Sequence, residues 1–302
     1  MAATNNPMVA PSSTQHPAVS KITLPIAGLQ VDIYGLAELP ATATSISSNH
    51  GSRLVSEVAN EAWRQGNATH AQDMFGIVSG TVLDTMHLLD VLESYLFGAG
   101  GDGGEENRHI DSNLVLGVSL GGHSAWQLLF ADPRVTAGVI VIGCPDYMNL
   151  IQDRARLSKL QTFTADNGVS FLGSKDFPKA LIEACRKYDP KAILFSTGEI
   201  SAQPSPSEQD RIRVILDRMV QGKRFQVLSG GADKLVPYNA GRQFLEFFKS
   251  ASSGWYKDGN VYIEDNVYPG VGHEFNAEMR QAAVGFILNT VGSFDKIASP
   301  KI

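Results

Sequence analysis

The sequence predicts an α/β fold: a mostly parallel central sheet flanked by helices, carrying a helical insertion. Three observations predict it. Asn113–Ser119 and Val135–Pro145 are continuous apolar runs of strand length, the pattern of strands covered on both faces. From Asn113 onward such runs alternate with helical patterns, as in a sheet built by crossover connections. A chain of 302 residues with 43% hydrophobic content can also close one large core of this kind.

The elements follow in order. Residues 1–20, rich in Ala, Pro, Ser and Thr, are expected to form a disordered tail, and 21–302 the folded domain. Lys21–Leu36 holds two short β-branched runs broken at Ala27-Gly28, a hairpin pattern. His70–Phe97 reads as a helix, with Leu83, Met86, Leu89, Leu92 and Leu96 spaced for one buried face. The glycine-rich stretch from Gly98 follows a helix and carries Asp102, Glu105 and Glu106, so it is a loop and not a phosphate cradle. Residues 146–190 interrupt the alternation and read as a cap or lid insertion. Its Tyr147, Met148, Phe163, Phe171 and Phe177 are candidates for an apolar pocket or for the core of the cap itself. A helix from Ser205, a strand and turn over 224–233, a helix from Pro237, a strand and loop over 260–274 and a closing helix complete the chain.

Composition removes several function classes. With 25 basic and 31 acidic residues, the net charge of −6 offers no footprint for nucleic acid or an anionic membrane. Cys144 and Cys185 make no disulfide framework and suit a reducing, cytoplasmic compartment. No metal-binding spacing is present, and neither a metal nor a cofactor is expected. No apolar run is read as a membrane span. The expected partner is a small-molecule substrate.

The chemistry gathers around Gly117-Val118-Ser119-Leu120-Gly121. This G-x-S-x-G closes a buried strand and opens a helix, so the turn between them can lift the Ser119 hydroxyl above the sheet edge. The same turn sets the backbone N–H of Leu120 at a helix N-terminus, aimed at a developing oxyanion. A serine nucleophile needs a base and an orienting acid, here expected in the order acid then base. Asp233, just past a strand, is the candidate acid, with Asp146 after the preceding strand as runner-up. His273, in the loop after the last strand, is the candidate base; His123 rides the helix leaving the turn and is taken as structural.

Through "GVSLGG", "GGADKLVP" and "GVGHEF" the chain resembles the α/β-hydrolase superfamily over roughly Ile22 to Val291. The resemblance implies an eight-stranded, mostly parallel sheet, with Ser119 as nucleophile, His273 as general base and Asp233 as the orienting acid. It also implies a second oxyanion donor from the loop after the third strand. The twelve residues Ala37–Ser48 are too few for the strand-helix-strand unit expected there, which needs about 20 or more. Two registers fit. In the preferred one, "NHGSR" is the loop after the fourth strand; the third strand, its loop and the first helix are missing, and turnover is impaired for want of a donor. In the other, "TATSIS" is the third strand, Asn49-His50-Gly51 the oxyanion loop and "MFGIVSG" the fourth strand. The implied function is a serine hydrolase of a carboxylic ester, thioester or related acyl substrate. The alternatives are a catalytically weak binding or biosynthetic tailoring protein, and a serine peptidase.

Overall fold

A computed structural model describes residues 19–26, 29–38, 45–48, 59, 61–97 and 108–298. The expected tail over 1–18, the Ala27-Gly28 turn, Asn49-His50-Gly51 and the glycine-rich loop at 98–107 lie outside the described residues.

The apolar runs become a sheet of five parallel strands. In spatial order these are β3 (Ser45–Ser48), β4 (His109–Val118), β5 (Val135–Val141), β6 (Arg224–Gly230) and β7 (Tyr262–Tyr268). Strands β1 (Lys21–Ile26) and β2 (Leu29–Tyr34) pair antiparallel as a separate hairpin. The eight-stranded sheet implied by the resemblance is therefore, among the described residues, five strands plus a detached hairpin. The hairpin stands apart because it packs on a helix: Ile26 is buried against Leu88 and Leu92 of α1 (His70–Phe97).

One of the two registers for the early region needs correction. A strand stands at Ser45–Ser48, parallel to β4, where both registers put one: the fourth strand before "NHGSR" in the preferred register and the third strand within "TATSIS" in the other. The "MFGIVSG" segment lies within α1 and is not the fourth strand of the other register. The chain thus keeps a strand beside β4 and, among the described residues, has none between β3 and α1.

Helices cover both faces of the sheet. The helices α2 (Leu120–Ala131), α7 (Pro206–Met219) and α8 (Tyr238–Ser253) enclose the larger core with Phe225 and Val227 of β6. On the opposite face Leu228 packs with Met279, Ala283 and Phe286 of α9 (Ala277–Ala298). This period-two split is what a strand buried on both faces requires. Trp126 of α2 centres the larger core, stacked on Phe225 at 5.5 Å and edge-on to Phe244 at 6.0 Å. Losing such a ring costs about 3–5 kcal/mol.

Helix α1 departs from its sequence reading twice. It is long and apolar enough, by length and composition, to cross a membrane. Here its apolar residues serve two packing partners: Val78 and Val82 lie on the α2 side, whereas Leu88 and Leu92 meet the hairpin. The divided burial leaves Leu83, expected in one continuous face, 50% exposed.

The 146–190 segment is helical, with α3 (Tyr147–Leu157), α4 (Gln161–Thr164) and α5 (Lys179–Tyr188), followed by α6 (Pro190–Phe195). Tyr147, Met148, Phe171 and Phe177 are each at most 1% exposed and pack with Phe75 of α1 and Ala240 of α8. They form core, not pocket lining.

Candidate active site

Strand β4 ends at Val118 and α2 starts at Leu120, leaving Ser119 alone in the turn with φ 58° and ψ −114°. A non-glycine residue rarely adopts this region, and the surrounding packing holds it there. The Ser119 N–H donates to the Val141 carbonyl at 3.0 Å, and the His123 N–H donates to the Ser119 carbonyl at 3.1 Å. Glycines make the turn sterically possible. A Cβ on Gly117 would fall 1.9 Å from the Gly121 carbonyl oxygen. One on Gly122 would fall 2.6 Å from the Val141 carbonyl oxygen, and one on Gly143 would fall 2.5 Å from the Gly122 carbonyl carbon. Gly121 itself faces open space. Within the pentad Gly117 is the crowded glycine, and on α2 the crowded position is Gly122, one residue beyond it.

His273 and Asp233 converge on this turn from the ends of β7 and β6. The Ser119 hydroxyl donates to His273 Nε2 at 2.8 Å, and His273 Nδ1–H donates to Asp233 Oδ2 at 2.8 Å. Asp233 Oδ1 accepts the backbone N–H groups of Leu235 (2.8 Å) and Val236 (3.0 Å), which anchors the carboxylate. Burial alone would raise the Asp233 pKa. The hydrogen bonds from His273, Val236 and Leu235 outweigh burial and hold it below the ordinary carboxylate value. Leu120, as first residue of α2, has its N–H at the positive end of the helix.

The runner-up residues sit elsewhere. Asp146 caps α3 by accepting the Asn149 N–H at 3.0 Å. His123 is 2% exposed, and its Nδ1 accepts the Cys144 N–H at 2.9 Å, so its proton rests on Nε2. Burial first, then the charge of Arg154, pushes its pKa down to about 4. It is a neutral packing residue at the wall of the site.

This arrangement closes one side of the sheet's carboxyl edge: strand, strained serine turn, helix, then acid and histidine from the next loops. The chain has the α/β-hydrolase fold. No family model and no curated protein matches it. Solved structures similar to it include Est1E from Butyrivibrio proteoclasticus, with 14% identity, 90% of this chain and 99% of that one covered and a TM-score of 0.40. Arabidopsis thaliana SOBER1 aligns with 15% identity over 72% of this chain and 65% of that one, TM-score 0.35. Puromycin hydrolase aligns with 20% identity over 65% of this chain, TM-score 0.36. The chain spans 22% of that protein's length and about two-thirds of SOBER1. The hydrolase fold assigned here rests on the chain's own strand order and serine turn.

Ser119 opens onto a cleft of about 540 Å³ walled by α1, α2, α3 and the loop after β6. Sequence reasoning missed three residues on its walls: His70, Arg154 and Lys234. A helical arginine carries no local signal of burial, and this cleft forms only when segments some 80 residues apart meet. On the other flank of β4 the neighbour is β3.

Proposed function

We propose that this chain is a serine hydrolase of a carboxylic ester, thioester or related small acyl substrate. The observation carrying the reading is the continuous chain of hydrogen bonds from Ser119 through His273 to Asp233 at the mouth of a cleft. A serine hydroxyl is a weak nucleophile until a base accepts its proton as it attacks. His273 Nε2 is within reach to take that proton, and ionised Asp233 stabilises the imidazolium that results. As the carbonyl carbon becomes tetrahedral, its oxygen gains charge, and the Leu120 N–H is the first donor for it. The imidazolium then passes its proton to the leaving alcohol or thiol, releasing it and leaving an acyl-serine. Water, deprotonated by the same histidine, cleaves that acyl group and restores the hydroxyl.

Incubation with a fluorophosphonate, followed by peptide mass mapping, tests the reading. One adduct on the Ser119 peptide, suppressed in His273→Ala, is expected. A folded protein that stays unlabelled overturns the assignment.

A further inference from the structure

The cleft differs in charge from the rest of the molecule. The chain is net negative by six, yet the described lining carries Arg64, Arg154 and Lys234 and no aspartate or glutamate. Two of these cations belong to the rim. Lys234 is exposed, and exposed Arg64 donates to the Leu157 carbonyl.

Arg154 is placed differently. It reaches inward from α3, and its Nη2 donates to the Leu235 carbonyl at 3.1 Å. Its Nη1 meets Met74 Sδ at 2.9 Å and donates to His70 Nε2 at 3.4 Å. None of these three groups is an anion. His70 is held neutral because its Nδ1–H donates to the Glu61 carbonyl at 2.9 Å, which leaves the Nε2 lone pair for Arg154. Burial, then the Arg154 charge, lowers the His70 pKa. Two carboxylates influence Arg154 without bonding to it: Asp153 pairs with Arg156 at 2.5 Å, and Asp233 with His273. The guanidinium stays protonated at any working pH. Among the described residues it is thus a half-buried cation without a counter-ion, lining the same cleft as Ser119. A desolvated charge in that state is costly until an anion meets it, and a carboxylate matches the guanidinium fork with two hydrogen bonds.

We propose that Arg154 is the anion-recognition residue of this cleft and that the substrate is an ester or thioester bearing a second, ionised carboxylate. The proposal rests on the serine-hydrolase reading for the identity of the reacting group, and on Arg154 and its neutral neighbours for the carboxylate. His70 is a positioning residue, because it holds the guanidinium without adding charge.

Two matched ester pairs locate the carboxylate. Mono-4-nitrophenyl adipate against 4-nitrophenyl hexanoate places it on the acyl side, and 3-acetoxybenzoate against phenyl acetate on the leaving side. The wild type is expected to favour the anionic member of one pair by about 30-fold or more in kcat/KM. That ratio should collapse toward one in Arg154→Met and be partly restored in Arg154→Lys. A wild-type ratio at or below one in both pairs overturns the proposal, as does a folded Arg154→Met that keeps the preference. A second readout needs no turnover. Adipate should raise the melting temperature of Ser119→Ala and fail to raise that of Ser119→Ala/Arg154→Met. No rise in the single variant overturns the carboxylate site, whereas labelling of Ser119 by the fluorophosphonate judges the hydrolase reading separately.

Discussion

Asp146 and Asp233 stand at the same edge of the sheet, in the turns after β5 and β6, and are almost equally buried at 7% and 6% exposure. Their chemistry diverges because their neighbours do. Asp146 accepts one backbone N–H and lies near Asp189, whose carboxyl caps α6 and also takes the Tyr147 N–H. Burial raises both carboxyls, Asp146 raises Asp189 further, and Lys191 only partly offsets this. Asp233 spends one oxygen on two backbone donors and keeps the other for an imidazole. Burial therefore does not distinguish the two carboxylates; what does is an oxygen left over and aimed at an imidazole.

Four measurements can break or sharpen that contrast. The largest effect is expected from Ser119→Ala, which should lower kcat/KM for any accepted ester by about 10⁴-fold or more while the protein stays folded. Asp233→Asn should follow, with kcat down about 10³–10⁴-fold because the amide favours the wrong imidazole tautomer. Asp146→Asn should change kcat by less than about threefold, since it touches neither His273 nor Ser119. If the two asparagine variants rank the other way, the acid lies after β5.

The third measurement concerns the two histidines near the turn. His123 titrates near 4 in the folded chain against an ordinary 6.5. The unfolded chain therefore binds the proton first, and stability is lost as pH falls from about 6.5 toward 4. The loss is at most about 3 kcal/mol, with His70 acting in the same direction. Denaturant unfolding at several pH values should show this slope in the wild type and a smaller one in His123→Gln. The smallest effect is on stability in Asp146→Asn. Its folded pKa is raised, so the carboxylate form costs stability once pH rises above the unfolded value of 3.8. At pH 7 the variant should match or exceed the wild type by up to about 1 kcal/mol, and the gain should vanish in acid.

Much of this was legible in the sequence. From Asn113 onward strands alternate with helices as the sequence predicts; β5 is the apolar run itself, whereas β6 and β7 carry polar residues and are legible from their β-branched and aromatic residues between turns. That Ser119, Asp233 and His273 belong together is legible from their order and their positions after strands, and the structure joins them by hydrogen bonds. Strand β3 is legible only as part of "TATSIS" in one of two registers, because "SISS" has a single apolar side chain and its pairing with β4 is not local information. Arg154 was missed because α3 reads as an amphipathic helix, and only the fold turns that arginine into the cleft. The apolar set in 146–177 was ambiguous because local sequence cannot say whether an aromatic ring lines a cavity or fills it.

The contact between Gly122 and Gly143 has a consequence for how this sequence can drift. A side chain at either position would strike the other's backbone, or that of Val141, so no trimming of a neighbouring side chain can make room. A lineage cannot exchange these glycines one at a time with a compensating change next door. Accepting any side chain there requires α2 to move away from the end of β5, and Ser119 moves with α2. The two positions, 21 residues apart, are therefore inherited together for as long as the serine turn keeps its place, whereas a Cβ at Gly121, the second glycine of the pentad, would meet open space.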